Sequence, residues 1–451
     1  MRTTLTLFCI LGATLIGFSQ DKSFDLSKYK FPDYKRHELE LNFNSSGVSD
    51  KHSYDEPSNL GNGDFVRNDY SVYYFKSNFR VKYKYDYLSR TRIDNLYSSL
   101  SGQYDFTKVS EPIKITKQID PNFNWNFGGF RRYYLNEDKF FLEAGSDFGY
   151  TISESKKTIA GNVDTNNKSN SFNALINLGV GIGRMEKVSD LWQAYYILEK
   201  LKGQNSLARE LEEKDIFEFA SFASKLKNKR FFDFRLQKIA ELQALDSLLH
   251  KQGLINETDI MYFTTLNDYW SFAYFQDRES GKVLKFWLSP EYSRYYQKSL
   301  GTSSQISTYT NLVSNLTFNC NKQLNLFWER HFNVLLSNET LIDKTSSNSG
   351  NYPENLFTSN IGLGYGYFPN TRTSISGSLG YQGYEIRYQQ TMDDQVKQWL
   401  NTIYLGLDGH YFVSPQIQIN ASIRFSYYDK IYNSINPTQT SYNLGIQYAI
   451  F

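Results

Sequence analysis

"IQINASIRFSY", residues 417–427, alternates without a break. Ile417, Ile419, Ala421, Ile423, Phe425 and Tyr427 fall on one face, and Gln418, Asn420, Ser422, Arg424 and Ser426 on the other. Successive side chains of a strand point to opposite faces, so one face asks for apolar surroundings and the other for water or polar packing. Strands of soluble proteins average about 5–6 residues, whereas a tilted strand crossing a bilayer needs about 9–11. The length of this run favours the membrane.

Other stretches repeat the pattern. In "FRVKYKYDY" (79–87), Phe79, Val81, Tyr83, Tyr85 and Tyr87 alternate with Arg80, Lys82, Lys84 and Asp86. In "NTIYLGLDGHY" (401–411), Ile403, Leu405 and Leu407 oppose Tyr404, Gly406, Asp408 and His410. The closing "SYNLGIQYAIF" (441–451) sets Tyr442, Leu444, Ile446, Tyr448 and Ile450 on its apolar face. Phe451 supplies the terminal aromatic common in outer-membrane barrels, but in the opposite phase. Short connections are expected near 89–92, 135–139, 320–323, 369–371 and 413–416, and long polar ones near 46–67, 108–119, 152–170, 338–355, 387–397 and 430–439. Alternating short periplasmic turns with long outer loops is the habit of a closed membrane barrel, where sheet closure satisfies every backbone group. The chain thus predicts an all-β membrane protein, a closed antiparallel transmembrane β-barrel of fourteen strands within a range of twelve to sixteen, both termini periplasmic.

Composition fits that class. The 451 residues include 36 Tyr, 34 Phe and 6 Trp, yet no stretch approaches the roughly 18 consecutive apolar residues of a spanning helix. A net charge of +2 gives no case for nucleic acid. The apolar run Leu5 to Phe18, followed by small residues at Gly17 and Ser19, predicts a signal peptide over 1–19 and export. Beyond it only Cys320 remains, so no internal disulfide can form.

Between about 186 and 280 the period changes. Leu191, Ala194, Tyr195, Leu198 and Leu201 share a helix face; Ile216, Phe219, Ala220, Ala223 and Leu226 a second; Leu236, Ile239, Leu242, Leu245 and Leu249 a third. Residues 260–272 suggest a fourth. The predicted organisation is a periplasmic N-terminal segment (20–34), a first barrel part of about six strands (35–184), a helical periplasmic insert (185–281) and a second part of about eight strands (282–451). The whole chain beyond 19 resembles outer-membrane β-barrel proteins of Bacteroidota-type bacteria. "GIGRMEKVSDLWQAYYILEKL" (181–201) and "LKNKRFFDFRLQKIAELQALDSLL" (226–249) are similar to the helical insert of a poorly characterised group among them. The resemblance implies a membrane location and membership of an outer-membrane assembly. It carries no activity and no catalytic residue.

Gly179, Gly181 and Gly183 are spaced G-x-G-x-G, which is not the dinucleotide fingerprint. With Gly362, Gly364 and Gly366 they are read as small inward residues, either curving their strands or letting another segment approach the wall. Arg80, Lys82, Lys84 and Arg424 form an inward basic stripe suited to anions in an open channel. Glu329 with His331, and Asp408 with His410, are inward polar pairs; without a nucleophile motif they are read as packing, not as a hydrolase or metal site. Arg330 falls on the lipid face between Trp328 and Phe332, where an arginine costs about 2–4 kcal/mol at the midplane and much less at the interface. A bulge, or a protein covering the patch, would explain it. Arg330, Trp192, Phe231 and Phe232 are therefore candidates to face a partner. The expected function is a non-enzymatic accessory subunit of an outer-membrane assembly, needing no cofactor or metal, contacting lipid and docking other outer-membrane or periplasmic proteins through the insert. A passive small-solute channel is the alternative, and a barrel hydrolase a minor one.

Overall fold

The computed structural model describes residues 28–57, 65–112, 114–135, 139–228, 234–255, 258–272, 278–346, 353–389, 395–414, 417–429 and 438–448. The expected signal peptide, the pair Phe231 and Phe232, and Phe451 lie outside these residues. Fourteen strands pair in chain order, each antiparallel to the next. The first six are β1 (Tyr34–Pro57), β2 (Phe65–Leu88), β3 (Arg92–Ser110), β4 (Ile115–Tyr134), β5 (Phe140–Ile159) and β6 (Asn162–Lys187). Four helices follow: α1 (Ser189–Gly203), α2 (Glu213–Lys227), α3 (Phe234–Lys251) and α4 (Ile260–Ser271). The sheet resumes with β7 (Glu279–Lys298), β8 (Gln305–Gln323), β9 (Trp328–Ser346) and β10 (Asn355–Asn370). It ends with β11 (Thr373–Gln389), β12 (Gln395–Ser414), β13 (Ile417–Asp429) and β14 (Thr438–Tyr448).

The register fixes the two faces. Phe79, Val81 and Tyr83 of β2 stand opposite Gly102, Leu100 and Ser98 of β3, whose row continues into Phe123, Trp125 and Phe127 of β4. Leu178, Val180 and Ile182 of β6, Phe286 and Leu288 of β7, and Leu405 and Leu407 of β12 belong to the same outward face and remain 41–59% exposed. An apolar surface of that extent is stable only against lipid. The intervening residues face inward and are largely Asn, Ser, Gly and charged.

The strands run further than their alternation suggests. β1 reaches Pro57, β3 and β4 leave only four residues between them, and β5 and β6 only two, so most of 46–57, 108–119 and 152–170 is ladder rather than loop. "SSGVSDKHSY" in β1 has no period of two, yet pairs residue by residue with β2. Outside the bilayer both faces meet water, so ladder hydrogen bonds persist while the hydrophobic signal for them vanishes. At about 3.3 Å per residue such a strand spans roughly 80 Å, against about 30 Å of hydrocarbon.

The sheet curves around the insert. Buried residues of the helices, among them Leu191, Trp192, Ile197, Phe219 and Trp270, form one apolar cluster with Tyr29 and Phe31 ahead of β1, Leu326 of the β8–β9 turn and Phe368 near the end of β10. Tyr34 and Leu88 pack on its edge. Strand ends from β1 to β12 thus converge on a single helical body, which is the geometry of a barrel mouth. No ladder joins β1 to β14 among the described residues. Leu41 and Phe43 are accordingly 70% and 71% exposed, and Tyr442 and Leu444 85% and 74%.

Candidate functional site

The inward wall carries the basic stripe, but not as free charge. Arg36, Glu38 and Glu40 of β1 stand opposite Asp86, Lys84 and Lys82 of β2. Lys82 pairs with Glu40 at 3.3 Å, Lys84 with Asp86 at 2.9 Å, and Arg36 with Glu38. All are substantially solvated apart from Asp86, so each pair is weak, yet Glu40 and Asp86 offset two of the stripe's four cations. Arg80 lies instead among amides, in a recess of about 430 Å³ that Asn42, Asn44, Asn78, Asn122 and Asn124 help to line. Arg424 stacks on the Tyr404 ring at 5.5 Å.

The mouth on the short-turn side is where the structure concentrates its buried charge. Arg278, on the last connection before β7, is 0% exposed. Its Nε donates to Glu329 at 3.2 Å, one terminal nitrogen to the Leu326 carbonyl at 2.7 Å and the other to Gln323 at 2.5 Å. Its guanidinium lies 4.5 Å from the Phe368 ring centre and 5.4 Å from that of Trp192. Burial pushes this guanidinium below its ordinary value, and the Glu329 carboxylate opposes the shift. Glu329 also binds His331 at 2.6 Å, so this expected pair is brought together and tied to the insert through Arg278. Asp408 and His410 are not brought together in the same way: His410 Nδ1 bonds Asn420 at 2.7 Å and Gln418 at 3.2 Å.

Further clasps encircle the mouth. Tyr196 of α1 donates toward the carbonyls of Phe368 and Pro369 at 3.2 and 3.0 Å. Asp268 of α4 accepts from Arg372 in the β10–β11 turn at 2.5 Å, and Phe272 meets Phe412 of β12 edge-on. Across the mouth, Glu186 binds Arg90 of the β2–β3 turn at 2.5 Å, while Arg184 donates to the carbonyls of Ser89 and Arg90, both at 2.8 Å. Trp192 is 1% exposed and packs on Tyr196 and Phe368, so its neighbour is this chain's own barrel rather than another protein. Sequence reading did not single out Arg278, Arg184, Glu186 or Arg90; an isolated charge at a strand end has no period to reveal it.

The glycines do three different jobs. The space above Gly181 is filled by the Phe141 ring and that beside Gly179 by Trp287, so these glycines seat cross-strand aromatics instead of an approaching segment. Gly183 has φ +94°, where a Cβ would stand 2.0 Å from the Lys282 carbonyl; only glycine fits this close approach of β6 to β7 near the strand end. Gly364 lies at contact distance from the Gly377 carbonyl and the His331 side chain, and helps line a recess of about 420 Å³ with Glu329, Ser376 and Ser378. Arg330 projects outward between Trp328 and Phe332, at the turn end of β9 rather than at its middle. Among the described residues no group of three or more His, Cys, Asp or Glu is placed to hold a metal.

No family model matches the chain, and no curated protein does. Solved structures do. The alcaligin outer-membrane receptor FauA from Bordetella pertussis is 10% identical, with 93% of this chain and 58% of that one covered and a TM-score of 0.36. The ferric yersiniabactin uptake receptor FyuA from Yersinia pestis is 8% identical, with 89% and 62% covered and a TM-score of 0.38. The toluene transporter TodX from Pseudomonas putida is 10% identical, with 92% and 88% covered and a TM-score of 0.27. The chain therefore spans about three fifths of the two receptors. Likenesses this distant concern the fold alone.

Proposed function

We propose that this chain is an outer-membrane channel for small polar solutes, with its helical insert seated as a cap in the turn-side, periplasmic mouth. One observation carries the reading: the insert closes its apolar core against the barrel's own turns and strand ends, through Arg278, Tyr196 and Asp268. A docking arm would present such a surface outward. The contacts between insert and wall fall within a few residues of the strand ends, while the wall beyond them is lined by amides, hydroxyls and cancelling charge. A wall of that kind suits neutral and polar solutes better than selection for anions. The test is conductance of the full chain in planar bilayers, intact and with Arg278→Ala. Rare openings in the intact protein and frequent ones in the variant are expected; a variant that folds and never conducts overturns the reading.

An accessory role in an outer-membrane assembly keeps one supporting observation. Ile260, Met261 and Phe263 at the start of α4 are 85%, 57% and 43% exposed, an apolar patch on the insert itself. Mild detergent extraction with and without Met261→Asp/Phe263→Asp separates the readings. Loss of a stoichiometric protein, with conductance unchanged, would show that the patch docks a subunit in addition.

A further inference from the structure

The outward rim at the turn end is built in two ways on two sides of the barrel. On β3 and β4, Arg92 and Arg131 both bind Asp94, whose side chain is 1% exposed; Arg92 Nε donates to it at 2.9 Å and Arg131 Nε at 3.0 Å. The two arginines lie over Tyr87 and Tyr133 at 4.9 and 5.9 Å. This rim carries its own counter-ion. On β8 and β9, Lys322 and Arg330 are direct cross-strand partners on the outward face, with Lys282 of β7 opposite Cys320 one row above. Like charges placed directly opposite repel, and none of the three has an ion-pair partner among the described residues. The outward rows around them supply Leu284, Phe318, Phe332, Leu363 and Tyr365, with no carboxylate.

Level along the strand matters as much as charge. Lys282, Lys322 and Arg330 all lie within four residues of the turn end. The outward Trp328 and Tyr367 rings beside them pack at a tilt, their centres 4.6 Å apart. Tryptophan and tyrosine on a lipid-facing wall collect where hydrocarbon gives way to headgroups. The cations therefore stand at phosphate height, beside lipid, without a partner of their own.

We propose that Lys322 and Arg330, assisted by Lys282, bind the headgroup phosphate of an anionic phospholipid in the turn-side leaflet, which takes the place that Asp94 holds on β3 and β4. The proposal is independent of whether the barrel conducts. The experiment is native mass spectrometry of the full chain from mixed micelles holding equal phosphatidylglycerol and phosphatidylcholine. Wild type is expected to retain phosphatidylglycerol preferentially. Lys322→Gln/Arg330→Gln should lower that preference by about fivefold for each charge removed. Cys320→Asp keeps every cation but supplies an internal carboxylate, and should remove the preference as well; Lys51→Gln, at the far end of β1, should leave it intact. Heat-modifiable gel mobility checks that each variant is folded. Absence of a preference in wild type, or its survival in both rim variants, overturns the proposal. So does loss of a co-purifying protein with lipid retention unchanged, which would make the rim a protein contact.

Discussion

Single residues at the strand ends decide how the wall meets the insert. Gly183 and Gly161 both hold a positive φ, +94° and +84°, but only Gly183 also lacks room for a side chain. Gly183→Ala should therefore cost more than the roughly 1–3 kcal/mol of a strained backbone alone, and Gly161→Ala no more than that. The thermal transition followed by gel mobility measures both. Arg278 is the other such residue. Removing one partner of a buried, hydrogen-bonded ion pair leaves the other charge stranded, at a cost of about 3–5 kcal/mol. Arg278→Ala should expose residues 188–278 to limited proteolysis while the strands stay resistant, because the clasp holds the insert and not the ladder. Equal protection of the insert in variant and wild type would refute that division.

Among the elements, α2 shows how the insert keeps its shape. Asp215 accepts from the Glu212 backbone N–H at 3.0 Å in a reciprocal capping box, and its carboxylate is gripped by Arg209 at 2.7 Å. The Arg209 hydrogen bond is the largest influence holding this carboxyl below its ordinary 3.8. A group depressed in the folded state adds stability that is fully present above its unfolded value and is lost as pH falls through the folded one. Asp215→Asn should thus lower helix stability by about 1 kcal/mol at pH 6, and the gap to wild type should narrow as pH drops below about 4. Circular dichroism at 222 nm during urea unfolding reads this out; a gap that is constant with pH would remove the ionic part of the explanation. The strands differ in kind. Their outer thirds carry no alternation, and only the partner strand holds them extended, as in β1 and β2 beyond Asn44.

For the whole molecule, the proposed channel with its cap makes one prediction. Replacing residues 188–278 with a short turn between β6 and β7 should leave the ladder intact, since Lys187 and Glu279 already pair. Such a chain should conduct more than the intact one in planar bilayers; equal conductance would mean the insert does not sit in the path. The sequence by itself determined the strand number, the two faces of its alternating runs and the helical break between β6 and β7. All of these rest on periods of two or 3.6 set by local backbone geometry and by lipid on one side. Only the tertiary structure decided what the insert does with its apolar face, and which acid meets which base. Lys82 of the stripe finds Glu40 on the neighbouring strand, and Trp192 finds Phe368 instead of a partner. Those outcomes depend on where residues 42 to 176 positions apart come together when strands pair and the sheet curls, and no local period records that distance.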